Sequence, residues 1–94
     1  MFWVYILKCS DGSYYTGHTD DLEKRISQHT NRFFAECYTA SRLPIELVYQ
    51  QDFFSREEAL IAERQIKGWS RKKKKALIEK DWKNLSIYSR RKKK

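Results

Sequence analysis

The chain has 94 residues, with 20 Lys+Arg against 12 Asp+Glu and a formal net charge of +8. That length holds one domain with a modest core, filled largely by aromatic side chains, and leaves no room for a second module. No apolar run approaches the ~20 residues of a membrane span and no export signal opens the chain, so no membrane partner and a cytoplasmic location are expected.

The charge is uneven. Met1 to Leu47 carries 5 basic against 6 acidic residues, and Val48 to Lys94 carries 15 against 6. A neutral front half joined to a basic back half is the footprint of phosphate binding, although the last residues alone read as a solubilising tail. Cys9 and Cys37 could pair, but a reducing compartment favours free thiols acting as small hydrophobes, and two cysteines cannot make a zinc site alone.

Trp3-Val4-Tyr5-Ile6-Leu7-Lys8 and Tyr14-Tyr15-Thr16-Gly17 are apolar and aromatic runs flanking Cys9-Ser10-Asp11-Gly12-Ser13. Asp-Gly suits the positive φ of a tight reversal, so the pattern predicts a β-hairpin. Strand alternation puts Trp3, Tyr5 and Leu7 on one side, with Tyr5 across from Tyr15 if the register allows and Tyr14 facing the other way.

Asp20 is expected to cap a helix from about 21 to 30, with Glu23 completing a capping box. On it Leu22 and Ile26 form a narrow apolar stripe, and Arg25 and His29, four apart, project together. Residues 31 to 44 lack a clean period. They read as a loop with one helical turn around 33 to 37, and Phe33, Phe34 and Tyr38 as packing groups. Ile45-Glu46-Leu47-Val48-Tyr49 predicts a third strand in the hairpin's sheet.

Ser55-Arg56-Glu57-Glu58 repeats the capping signature and opens a helix ending at Gly68, a residue suited to the left-handed C-terminal position. Ala59, Ala62 and Ile66 line one face, with Leu60 to the side and Glu63 among them. A carboxylate on a core-facing stripe is costly to desolvate without a cation. The residues leave two partners open, a metal ion or an ion pair with Arg25 or Lys67. Ser70 caps a further helix that carries the basic run from Arg71 to Lys75 and then Ala76, Leu77 and Ile78, while Trp82 and Leu85 close the core from below. Residues 1–85 thus form one domain and residues 86–94 a basic disordered tail. The fold class is α+β, a small three-stranded antiparallel sheet flanked by helices.

The order of these residues resembles the GIY-YIG nuclease family, in particular its small stand-alone branch. Trp3-Val4-Tyr5 stands where the family has Gly-Ile-Tyr, and Tyr15-Thr16-Gly17 where it has Tyr-Ile-Gly, followed by Arg25, His29 and a helical Glu63. Both tyrosines and the glycine match; Trp3 and Thr16 depart from the pattern. The resemblance spans about residues 2 to 78 and implies the family's endonuclease fold. It implies that Glu63 is the protein carboxylate holding one divalent cation, Mg2+, and that Arg25 meets the phosphate. Tyr5 and Tyr15 are implied to orient the attacking water, one of them accepting its proton in some accounts.

Those roles suit the chemistry. Phosphodiester hydrolysis requires charge stabilisation, an activated water and help for the leaving oxygen. The planar fork of Arg25 suits a phosphate, whereas a phenol is a poor base unless a positive group stabilises its anion. His29 stands where the family often has His or Tyr. A proton shuttle, a phosphate contact and a histidine favoured by the helix dipole are all open to it.

Gly17 permits close backbone approach, by packing or by nucleic acid, and His18 sits near the same mouth. Lys67 and the run Arg71, Lys72, Lys73, Lys74 and Lys75 offer contacts to phosphates beside the cut, which locate a backbone without reading bases. DNA is the expected partner, and no reading head supplies sequence specificity. A magnesium-dependent DNA endonuclease of repair or recombination is the expectation. A non-catalytic nucleic-acid-binding module is the alternative, and a protein partner stays open.

Overall fold

The structure, a computed structural model, describes residues 1–31, 38–83 and 85. Phe2–Lys8 forms strand β1 and Tyr14–Thr19 forms β2, joined by a turn in which Gly12 takes a φ of 86°. Glycine adopts that angle without the Cβ clash other residues would meet. Glu46–Phe53 forms β3 and pairs antiparallel with β1, giving the sheet order β2-β1-β3. β3 outruns the predicted 45–49 because an edge strand keeps pairing on one side after its apolar pattern has ended; Gln50 and Gln51 are exposed.

β1 is covered on both faces, and Val4, Tyr5, Ile6 and Leu7 are each 0% exposed. Val4 and Ile6 pack on Ala59, Ile66 and Leu77, from helices α2 (Arg56–Lys67) and α3 (Arg71–Ile78). Tyr5, alternating with them, points to the opposite face, towards helix α1 (Leu22–Thr30).

The pairing of Tyr5 with Tyr15 is corrected. Tyr5 pairs with Gly17 and Leu7 with Tyr15, because the Cys9 amide donates to the Ser13 carbonyl and the hairpin closes on Lys8 and Tyr14. The two tyrosines therefore share a face as diagonal neighbours.

Ser55 and Ser70 cap α2 and α3 as expected, accepting from the amides of Glu58 and Lys73. For α1 the cap is Asp21, not Asp20. The Thr19 hydroxyl accepts from the Asp21 amide at 3.0 Å, and Asp21 in turn accepts from Lys24, so the helix starts one residue later. Nor is Gly68 left-handed: at φ −82° and ψ −4° it continues the helical path, and the next amide, of Trp69, still reaches the Ile66 carbonyl.

The helical turn expected at 33 to 37 lies outside the described residues, as do Phe33, Phe34, Cys37 and the tail 86–94. A 3-10 turn occupies Tyr38–Ser41, and Tyr38 is a packing group at the surface, 41% exposed and stacked on Tyr15. Trp82 does not close the core, being 59% exposed, whereas Leu85 does pack against it. Among the described residues no helix is long and apolar enough to cross a membrane.

Candidate functional site

The phenol of Tyr5 crosses the backbone of its partner Gly17 and ends against α1, where its oxygen lies 3.0 Å from His29 Nε2. A side chain at 17 would fill the space the phenol occupies. On the far side of the imidazole, Nδ1 lies 2.9 Å from the Thr39 hydroxyl. Burial, and after it the nearby Arg25 guanidinium, hold His29 below the ordinary histidine pKa, so the ring is neutral with one donor and one acceptor nitrogen. Arg25 and His29 do project together, as their spacing predicted, but as a repelling pair that suppresses a second charge.

Tyr15 covers this pair, with ring centroids 6.4 Å from Tyr5 and 5.2 Å from His29. Tyr38 stacks on Tyr15 at 6.3 Å and Arg42 lies 3.8 Å over Tyr38, tied to the hairpin turn through Asp11. Tyr5 is wholly buried and Tyr15 half-buried, so of the two catalytic candidates Tyr15 is the more exposed. Arg25 opens onto a polar hollow of 390 Å³ that it lines with Lys24 and Gln28, and with the acids Asp20 and Asp21.

Glu63 lies on the other side of the sheet. Gly17 faces α1, so its neighbour His18 faces α2, where its Nδ1 lies 2.7 Å from Glu63 Oε1. The second oxygen of Glu63 receives Lys67 Nζ at 3.1 Å. Of the two ion-pair partners left open for Glu63, Lys67 is thus found, joined by an imidazole. Glu63 and the phenols, given roles in one reaction by the resemblance, do not line one concave surface: they flank the edge strand β2 from opposite faces. Tyr14, as expected, faces away from Tyr15 and packs towards the core.

The basic run divides on α3. Arg71 lies 4.8 Å over the Tyr14 ring, Lys72 and Lys75 are exposed, and Lys74 sits near Lys67 with its pKa lowered by burial first and by that lysine second. Lys73 is corrected as a surface phosphate contact. It is 6% exposed, and its ammonium caps the Trp69 ring at 4.1 Å, a packed cation–π contact. A larger hollow of 680 Å³ lies elsewhere, lined by Trp3, Leu22, Ile26 and Leu47 with Asp20, Asp21 and Glu23. Its three acids, with no basic residue beside them, would repel a phosphodiester, whereas Lys24 and Arg25 offset Asp20 and Asp21 in the smaller hollow.

A family model for the GIY-YIG catalytic domain matches residues 1–77, which contain every residue of both clusters. The chain belongs to the GIY-YIG family. It is 51% identical over 76 residues to a UPF0213 protein of Staphylococcus saprophyticus, covering 81% of this chain and 92% of that protein. Two solution NMR structures resemble it. A UPF0213 protein from Bacillus halodurans is 44% identical, with 84% of each chain covered and a TM-score of 0.55. A protein from E. faecalis is 32% identical, with 90% of this chain and 85% of that one covered and a TM-score of 0.56.

Within this GIY-YIG domain the residues that sequence reading missed are Thr39 and Arg42, and the partnership of His18 with Glu63. Thr39 and Arg42 sit in a segment without periodicity, where only tertiary contact assigns a role. His18 was partly legible: it follows Gly17, so alternation sends it to the face of Tyr14. Thr16, standing for the family's isoleucine, puts a hydroxyl on that buried face, and its oxygen has no hydrogen-bond partner among the described residues.

Proposed function

We propose that the protein is a magnesium-dependent endonuclease that hydrolyses DNA phosphodiester bonds, acting in the cytoplasm in DNA repair or recombination. The observation that carries this reading is the placement of five pattern side chains about one edge strand: Tyr5, Tyr15, His29 and Arg25 from one face of β2, and Glu63 from the other.

Tyr15, the outer phenol, orients the attacking water, and Arg25 carries the charge that grows on the phosphate. Tyr5 and His29 support the Tyr15 ring from beneath. Lys72 and Lys75 track the flanking phosphates. Glu63 would hold a hydrated divalent ion through Oε1, in place of its hydrogen bond to the partly exposed His18, since magnesium needs one carboxylate while it keeps several waters. Such an ion, when bound, supplies positive charge to a phosphate oxygen and acidifies a water.

The test is cleavage of plasmid and branched DNA by the purified protein. Magnesium-dependent cutting is expected, lost in Glu63→Ala and slowed at least ~100-fold in Tyr15→Phe. No magnesium-dependent cutting, with Glu63→Ala behaving as the parent, overturns the reading. One observation favours a second reading, a binding module without turnover: His18 and Lys67 satisfy Glu63 with no ion. It predicts salt-sensitive DNA binding that Glu63→Gln leaves unchanged.

A further inference from the structure

We propose that His18 and Glu63 together form a mixed nitrogen and oxygen site that prefers a first-row transition ion of the cobalt or manganese class to magnesium. The proposal rests on the reading of Glu63 as the cation-holding carboxylate and adds a second protein ligand to it.

The geometry is close to what such an ion needs. His18 Nδ1 and Glu63 Oε1, 45 positions apart in the chain, are brought to 2.7 Å. Neighbouring donors on an octahedral ion with bonds of about 2.1 Å stand about 3 Å apart, so exchanging the shared hydrogen for an ion requires the two atoms to part by only about 0.3 Å. The movement falls on the freer partner: the His18 side chain is 34% exposed and that of Glu63 10%. Glu63 is fixed by its place on α2, between Ala59 and Ile66, both of which pack against β1.

Lys67 holds Oε2, so an ion reaches only Oε1, against the repulsion of that ammonium. Two further features suit a metal more than a plain hydrogen bond. The partial exposure of His18 leaves room for the waters or phosphate oxygens that complete the coordination. The imidazole also decides the type of ion, since magnesium takes oxygen ligands, whereas an aromatic nitrogen draws later first-row ions in rising order from manganese to cobalt and nickel.

The test is calorimetric titration of the tag-free protein with CoCl2, MnCl2 and MgCl2, together with the visible spectrum of the cobalt form. The parent, His18→Gln and Glu63→Gln are compared, each first shown to be folded by circular dichroism. Glutamine at 18 keeps an N–H donor for Glu63 and removes the ring nitrogen. Expected are cobalt binding at least ~10-fold tighter than magnesium, a cobalt loss of at least ~10-fold in His18→Gln, and magnesium affinity within about twofold in that variant. Cobalt affinity and spectrum unmoved by His18→Gln overturn the proposal. If Glu63→Gln still abolishes magnesium binding in that case, the reading of Glu63 stands alone; if no ion binds, or Glu63→Gln keeps all binding, both fall.

Discussion

The phenol of Tyr5 lies so close to the backbone of Gly17 that a Cβ there would stand 2.5 Å from the phenolic oxygen and 2.7 Å from the carbon that bears it. The glycine of the motif is therefore explained by packing against the motif's first tyrosine. Tyr5 cannot swing clear, being wholly buried and bonded to His29. Gly17→Ala is expected to destabilise the fold by about 1–3 kcal/mol, read as a lower urea midpoint at unchanged slope. In a Tyr5→Leu background the same substitution should cost less. An equal cost in both backgrounds would show that the phenol is not the obstacle.

His29 gives the fold a dependence on pH whose sign follows from its environment. Burial first, and Arg25 second, lower its pKa below the ordinary 6.5. As pH falls through the unfolded value, the unfolded imidazole takes up a proton that the folded one refuses. Its contribution to stability is therefore complete above that pH and declines below it, until the folded ring also protonates. Urea midpoints of the parent at about pH 7.5 and about pH 5.5 should differ more than those of His29→Gln. Equal differences would mean that His29 is not held neutral. Thr39→Val, which deprives Nδ1 of its partner, should destabilise the parent by about 1–3 kcal/mol while Thr39→Ser costs less.

Thr16 departs from the motif's isoleucine at a cost the structure locates. It is buried, and its hydroxyl has no partner among the described residues. A desolvated hydroxyl without a hydrogen bond costs about 1–3 kcal/mol, and valine has nearly the same shape. Thr16→Val should raise the urea midpoint, corresponding to a gain of about 1 kcal/mol. A lowered midpoint would mean that the hydroxyl is satisfied in solution.

What was legible in the sequence was whatever local chemistry decides. Ser55 and Ser70 announce their helices by the side chain each offers a free amide, and alternation separates Tyr14 from Tyr15. The hairpin register was not legible, because it depends on how the Cys9 amide closes the turn on Ser13. One such bond moves Tyr15 from opposite Tyr5 to a diagonal place. Glu63 stood out as an acid among apolar neighbours, but its imidazole partner comes from a strand 45 positions away, and only the packing of α2 on the sheet joins them. At Gly68 residue type misled, since glycine permits a left-handed cap without requiring one.

The five consecutive basic residues of α3 do not act alike, and this separates nucleic-acid binding from folding. Lys72 and Lys75 are exposed, whereas Lys73 lays its stem in the interior and its ammonium against Trp69. Under the proposed function, Lys72→Ala and Lys75→Ala should each weaken DNA binding about equally for all sequences, with the salt slope reduced by about 1, and should leave the urea midpoint in place. Lys73→Ala should do the reverse, lowering stability by about 0.5–2 kcal/mol through lost packing and cation–π contact, with the salt slope of the remaining folded protein unchanged. Lys73→Met, which keeps the stem and removes the charge, should recover part of that loss. A salt slope that falls equally for Lys72, Lys73 and Lys75 would mean that the Lys73 ammonium leaves Trp69 for the phosphate.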